Sequence, residues 1–223
     1  MTNQKEEIKK MWRIIGTNDS SVLELRAIWP AAIESTRPAL TNHFRASDYG
    51  GIDACKSAFE EKALQLNAIG YNIYIVMNPI KPIFNGNAAE DKDIAHRDLL
   101  LIDIDRAHKA KQPATAEEVD AAKHLAGIVM AYLETMEWST PIRVMSGNGH
   151  HLYYALPAVA NNDESKHYVQ RLLKTLASEF DNENVKIDTS VFNASRITKV
   201  VGTVARKGVE SEDRPYRMAR VYE

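Results

Sequence analysis

Leu99-Leu100-Leu101-Ile102-Asp103-Ile104-Asp105 is the stretch on which the reading of this chain turns. It is the most strand-like run in the sequence, and in an extended chain successive side chains point to opposite faces. Leu100, Ile102 and Ile104 therefore share one face, and Asp103 with Asp105 the other. The two carboxylates stand roughly 6.6 Å apart at Cα, near enough to repel each other when ionised unless a cation lies between them. Hard divalent ions such as Mg²⁺ or Mn²⁺ favour oxygen ligands of this kind. The same Asp-x-Asp pair would also simply end a strand in a solvated turn with Arg106 and His108.

Around this strand the sequence predicts an alternation of helices and short strands. Ile8, Met11, Trp12 and Ile15 give a short amphipathic helix stopped by Gly16, and Val22 to Trp29 reads as a strand. A polar, irregular stretch leads to a helix from about Asp53 to Asn67, ended by Gly70, and Tyr71 to Met77 reads as a strand. The run NPIKPIFNGNAAEDKDIAH, from Asn78 to His96, has prolines, Asn-Gly and mixed charge without periodicity. It predicts a long connection that is mobile, or ordered only by a ligand.

Beyond the central strand, Thr115 and Glu118 have capping-box spacing, and Val119, Ala122, Ala126, Val129, Leu133 and Met136 make one apolar stripe, so a strong helix follows. Ile142 to Met145 and His151 to Leu156 read as two strands joined by the tight Ser146-Gly147-Asn148-Gly149 turn. A helix from about Glu164 to Phe180 and short strands near Ile187, Ile197 to Val201 and Tyr216 to Val221 complete the chain. Strands close enough to pair as antiparallel neighbours outnumber βαβ units, so the class is α+β, with helices on one face of each sheet.

Composition sets the limits. With 223 residues, 44% apolar and 26% charged, the chain can bury a full core as one domain or two tightly joined lobes. A formal net charge of −2 supplies no overall basic field, so a nucleic-acid partner would be held by a local patch. The single cysteine, Cys55, excludes an intramolecular disulfide framework and a multi-cysteine zinc site. The charged N-terminus, MTNQKEEIKK, is unlike a signal peptide and no window approaches eighteen consecutive apolar residues, so the expectation is a cytoplasmic protein without a membrane partner.

Two further groups of residues can carry chemistry. In the turn before His150 and His151 the glycines allow exposed backbone N–H groups, and alternation puts His151 with Tyr153 on one face and His150 with Leu152 and Tyr154 on the other. His151 is thus the better candidate to donate to a phosphate oxygen, although a polar residue beside a hairpin turn needs no such role. Asp188, before Thr189-Ser190, fits a cap or an Asx turn. It is followed within twenty residues by Arg196, Lys199, Arg206 and Lys207, local positive charge suited to phosphates or to a solvated basic edge.

In order, LLLIDID, SGNGHHLYY and KIDTSVFNASRITKVVGT resemble the three motifs of the archaeo-eukaryotic primase superfamily, above all the primase-polymerase domains of phages, plasmids and related mobile elements. The resemblance covers about residues 71–207. It implies a two-lobed core, over residues 1–223, with a mostly antiparallel sheet like that of an RNA-recognition motif, flanked by helices. It also implies that Asp103, Asp105 and Asp188 are catalytic and hold two divalent ions, Mg²⁺ or Mn²⁺. Ser146, Asn148 and His151, from the second motif, and Arg196 with Lys199, after the third, are then expected on the incoming nucleotide. Three positions apart, Arg196 and Lys199 would not share a face of a regular strand, so a turn before Ile197 is expected. His150 departs from the family's pattern, which often has an aromatic residue there.

The activity implied is template-directed nucleotidyl transfer from NTPs or dNTPs on a single-stranded DNA template and primer, as a DNA primase or polymerase in replication of mobile DNA. Many relatives carry a zinc module, an accessory helical domain or a helicase, and such a partner would lie outside this chain. Phe44, Arg45, Tyr49 and the loop around Lys81 are candidate template contacts, with ordinary packing and surface roles as the alternative, and Tyr153 is the candidate for sugar discrimination. Two rivals use the same residues: a metal-dependent nuclease, and a non-catalytic single-strand-binding or replication-initiator module.

Overall fold

The computed structural model describes residues 2–31, 36–108 and 111–222. Helix α1 (Thr2–Lys9) runs into a 3₁₀ turn over Lys10–Arg13 and buries Ile8 and Met11. Strand β1 (Val22–Ile28) pairs antiparallel with β2 (Leu40–Arg45) on one side. Helix α2 (Ile52–Ala68) buries Cys55, Phe59, Ala63 and Leu66 against these strands, one residue per turn of the helix. Strand β3 (Asn72–Val76) then takes the free side of β1.

The second sheet is built on β4 (His96–Arg106), which is followed by α3 (Ala116–Thr135), β5 (Ile142–Met145), β6 (His150–Ala160), α4 (Asp163–Phe180) and β7 (Val185–Ile187). β4 lies between β6 and β7, and β5 lies outside β6, all antiparallel. The chain order β-α-β-β-α-β with this strand order is the split βαβ arrangement of RNA-recognition-motif-like sheets. Leu100, Ile102 and Ile104, each 1% exposed or less, face the dry side, where α3 and α4 supply Val129, Leu133, Leu173 and Leu176. Burying side chains of this size stabilises by about 1.5–3 kcal/mol each.

After β7 the chain returns to the first sheet, where β8 (Ile197–Lys199) pairs with β3 to give the order β2-β1-β3-β8. Short strands β9 (Val204–Ala205) and β10 (Arg217–Met218) pair with each other, and β11 (Arg220–Tyr222) closes the edge beside β5. The fold is therefore α+β and two-lobed, with mostly antiparallel sheets and helices against them, as the sequence predicts. The capping box is present: Thr115 Oγ1 accepts from Glu118 N at 3.2 Å, and Glu118 Oε2 accepts from Thr115 N at 2.9 Å. Glu118 also binds Arg106 and Arg214. Burial would raise its carboxyl, but Arg214, the Thr115 amide and Arg106 outweigh it and pull it down to about 2. Met136, predicted on the apolar stripe, is instead an exposed residue at the end of α3.

The segment between Asn78 and His96 differs from the mobile connection its sequence suggests. It folds on itself through Lys81 N to Asp93 O (2.8 Å), Ala95 N to Pro79 O (2.8 Å) and a bridge between Ile80 and Ile94. Ile80, Phe84, Ala89 and Ile94 meet Val22, Val76 and Ala194 in a small core of their own. These apolar residues converge without any helical or strand period, which is why periodicity misses them. Strand β2 is also absent from the sequence reading, because Leu40-Thr41-Asn42-His43-Phe44-Arg45 alternates weakly at a sheet edge.

Glu24, fully buried on β1, ties these pieces together. It accepts from Ala89 N (2.7 Å), contacts His43 Nε2 (2.9 Å) and pairs with Arg26. Removing one member of such a buried set leaves the others without a partner. Glu24→Ala is expected to cost about 3–5 kcal/mol of folding stability, measured as a lower denaturant midpoint at an unchanged slope.

Candidate active site

The backbone ladder places the three aspartates together. Asp103 and Asp105 project from the wet face of β4, and Asp103 stands opposite His151 in the pairing with β6. On the other side, Asp188 N donates to Asp103 O at 2.8 Å, so the residue after β7 is held beside the first aspartate. Asp188 also forms the Asx turn that its sequence allows, with Oδ1 accepting from Ser190 N at 2.8 Å. All three line one cleft of about 470 Å³ between the two sheets, together with Ser146, Asn148, His151, Arg196 and Lys199. Every residue expected to hold metal or the incoming nucleotide thus reaches the same cavity.

Electrostatics distinguish the members. Burial, and then neighbouring Asp103, push the Asp105 carboxyl well above its ordinary range, which His151, Lys207 and Arg106 only partly offset. His151 Nε2 lies 3.3 Å from Asp103 Oδ1, while Nδ1 is 2.9 Å from the Tyr153 hydroxyl. Burial works against a charge on this imidazole, but Asp103 and Asp105 outweigh it and raise its pKa. His150 faces away, as strand alternation requires. It stacks on Tyr222 with centroids 5.2 Å apart, and burial followed by the charge of His151 drives it down to about 4, so it is a neutral packing residue.

The Ser146–Gly149 turn is pressed against β4. A Cβ on Gly149 would stand 2.3 Å from both Asp105 Oδ1 and Ile104 O, so only glycine fits there. Asn148 Oδ1 accepts from Ala114 N at 2.8 Å, which anchors the turn to the start of α3. Arg196 precedes β8 in the expected turn, and Lys199 ends that strand, so both face the cleft. Arg196 Nη2 donates to Ser190 O at 2.5 Å and its Nε is buried without a partner.

Several cleft residues escaped the sequence reading. Tyr74 on β3 pairs in register with Lys199, and burial together with Asp103 and Asp105 pushes its hydroxyl up to about 12. Asn72 holds the Arg206 backbone by two bonds of 2.7 Å, and Trp29 lines the far end of the cleft. The one available signal was strand alternation, which puts Asn72 and Tyr74 on a common face; nothing in the sequence says which face that is. Conversely, Tyr153 is 2% exposed, its hydroxyl set between His151 and Thr198, and it does not line the cleft. Phe44 packs on Phe59, and Arg45 donates to the Pro82 and Phe84 carbonyls, so both serve the fold. Lys81 donates to Lys92 O at 2.6 Å, and Tyr49 is 41% exposed beside Phe44.

Among the described residues, no three acidic, imidazole or thiol side chains are drawn together as a ready metal cage. The donor chemistry nevertheless fits hard divalent ions: Asp103 and Asp105 share one face of β4, burial and then the charge of Asp103 raise the Asp105 carboxyl, and Asp188 is bonded alongside. A cation between them would remove that repulsion. A second cavity, of about 410 Å³, lies under α4 and is lined mainly by Leu100, Trp138, Leu156 and Leu172, without a comparable set of convergent charges.

No protein-family model matches this chain, and no curated protein matches its sequence. Solved structures do match in fold. The primase-polymerase AEP domain of cyanophage S-2L aligns over 98% of this chain and 89% of its own, with 16% identity and a TM-score of 0.54. Primase RepB′ aligns over 99% of this chain and 56% of its own, with 11% identity and a TM-score of 0.55. The polymerase domain of Mycobacterium tuberculosis ligase D, in complex with DNA, aligns over 97% and 78%, with 14% identity and a TM-score of 0.55. The chain has the fold of archaeo-eukaryotic primase-polymerase domains.

Lys199 supplies a measurable consequence. It is 4% exposed, its ammonium reaches the Val204 carbonyl at 3.3 Å, and no carboxylate lies within ion-pair distance among the described residues. Burial, and then Arg206, bring its pKa down to about 7. The unfolded chain, with an ordinary value of about 10.4, keeps a proton that the native chain lacks between these values, so stability rises with pH across that window. The contribution is complete above the unfolded value and is lost as pH falls through about 7. Lys199→Met is expected to raise the thermal midpoint at about pH 6, with the gain vanishing by about pH 10. Circular dichroism melts over that range check it; a constant gap between the two proteins would contradict it.

Proposed function

We propose that residues 1–223 form a single catalytic core, with its motifs within residues 71–207, that copies a single-stranded DNA template by nucleotidyl transfer, as a DNA primase or polymerase. The observation that carries this reading is the meeting of carboxylates and cations in one cleft. Asp103, Asp105 and Asp188 line it together with Arg196, Lys199, Arg206 and Lys207, which suits a triphosphate bound beside divalent ions. The likeness in fold to primase-polymerase domains supports the same reading.

Asp103, Asp105 and Asp188 would hold Mg²⁺ or Mn²⁺, and two such ions would supply a lowered pKa for an attacking hydroxyl and neutralisation of the pyrophosphate charge. The chain's own groups position the reactants. Arg196, anchored through Nη2 to the Ser190 carbonyl, brings its guanidinium charge to phosphate oxygens, and Lys199 offers a buried point charge that an anion would keep protonated. His151, oriented by Asp103 and Tyr153, has a proton to share with a phosphate oxygen. The Ser146–Gly149 turn brings Ser146 and Asn148 to the same ligand. The bond that forms joins the primer 3′-oxygen, or that of an initiating nucleotide, to the α-phosphorus; the bond that breaks releases pyrophosphate. Binding energy on the triphosphate is thus converted into alignment.

Template and primer are single-stranded DNA, held through backbone contacts and stacking, and the substrates are NTPs or dNTPs. The setting we infer is replication of phage, plasmid or other mobile DNA, with any helicase or accessory domain outside this chain. A nuclease would leave Arg196 and Lys199 without a triphosphate to bind, and a binding module would need no intact set of three carboxylates.

Primed and unprimed single-stranded templates, incubated with labelled nucleotides and Mn²⁺ or Mg²⁺, test the proposal. Asp103→Ala/Asp105→Ala is expected to lose extension by on the order of 10³-fold or more, with its folding checked by circular dichroism. Degradation of the template instead of extension would favour the nuclease, and binding without synthesis the non-catalytic module.

A further inference from the structure

The loop that carries Asp188 and Arg196 has little secondary structure of its own: residues 188–196 contain no helix or strand. Its shape is set from behind, by residues that touch neither end of the cleft. Met77 N donates to Arg196 O at 3.0 Å, and Asn78 Nδ2 donates to Ala194 O at 2.9 Å. Asp91 Oδ1 accepts from Ser195 N at 2.9 Å and from Ser195 Oγ at 2.8 Å. Arg97 Nη1 donates to Phe192 O at 2.9 Å. From Phe192 to Arg196, four backbone groups are therefore bound to residues 77–97, and Ala194 is fully buried in the small core of that same segment.

The bracket is itself fixed to the strand that bears the first two aspartates. Asn78 Oδ1 accepts from Asp98 N at 2.9 Å and from Leu99 N at 3.1 Å, and Arg97 belongs to β4. Asn161 Nδ2 holds the Asp91 and Ile94 carbonyls, while Lys166 pairs with Asp91 at 3.6 Å. One rigid connection thus runs from β4 through Asn78, Asp91 and Arg97 to the loop of Asp188 and Arg196.

Building on the proposed function, we propose that the segment from Asn78 to Arg97 is a positioning bracket, in which Asp91 and Arg97 set the position of Arg196 relative to the aspartates, while Asp188 is held directly by the Asp103 carbonyl. A merely structural role does not explain Arg97. Its side chain is 2% exposed, yet its Nε and Nη2 have no partner, so it makes one bond where a buried guanidinium offers five donors. An apolar side chain of similar length would serve stability as well or better. What it would lose is the grip on Phe192.

The test pairs a readout of loop position with a readout of ligand binding. Hydrogen exchange of the 190–196 amides is compared among the parent, Arg97→Met, Asp91→Ala and Asp91→Asn. Protection is expected to fall about tenfold in Arg97→Met and Asp91→Ala, while the thermal midpoint of Arg97→Met stays level or rises. Asp91→Asn keeps an acceptor for Ser195 and is expected to restore most of the protection. In parallel, calorimetric binding of Mn²⁺ with a deoxynucleoside triphosphate is expected to weaken about 10–100-fold in the first two variants, with rescue by Asp91→Asn.

Unchanged exchange in both Arg97→Met and Asp91→Ala would overturn the bracket. Faster exchange with unchanged binding would overturn its positioning role. A parent that neither binds nucleotide nor extends a primer would sink the proposed function and the positioning role with it, while exchange still decides whether the loop is held from behind. Should Arg97→Met fail to fold, partly exposed Asp91 carries the same comparison.

Discussion

Two carboxylates on one face of a strand whose other face is dry are the constraint from which the rest of this structure follows. Leu100, Ile102 and Ile104 commit β4 to the centre of a sheet covered by α3 and α4. Asp103 and Asp105 are then carried to the opposite face, into a cleft that water reaches only in part. Burial, and then the charge of Asp103, raise the Asp105 carboxyl, and burial, followed by both aspartates, raises the hydroxyl of Tyr74, which lines the same cleft. His151 answers one of these charges, and both carboxylates open on the cleft.

The opposite wall comes from the other sheet. β8 crosses from the third motif to the edge of β3, which brings Lys199 over the Tyr74 ring at 5.5 Å and sets Arg196 at the entrance to the strand. Asn72 then holds the backbone of Arg206 from β3. A chain with a formal net charge of −2 in this way gathers cations into the same cleft as its three aspartates. This local concentration, rather than any overall field, is what suits a metal-bound polyphosphate.

The central parts of the site were legible because they obey short-range rules. Alternation along β4 and β6 is enough to place Asp103 with Asp105, and to choose His151 over His150, since a strand has only two faces. Spacing alone also identifies the Thr115–Glu118 box. Strand β2 and the Asn78–His96 segment were not legible. Phe44 is the one buried residue of β2, and Ile80, Phe84, Ala89 and Ile94 meet in space without a period in sequence. Tyr153, on the correct face for a sugar contact, is taken up instead by bonds to His151 and Thr198.

By itself the sequence determined the α+β class, the helices and central strands, and the face on which each candidate side chain stands, because these depend on neighbours within a few residues. Only the tertiary structure decided which faces meet. It brought β8 against β3, set Asp188 on the Asp103 carbonyl, buried Lys199 against the Val204 carbonyl and bound the loop of Asp188 and Arg196 to Asn78, Asp91 and Arg97. Those contacts join residues far apart along the chain. Their geometry is fixed by packing and by the need to satisfy buried polar groups, which no local pattern records.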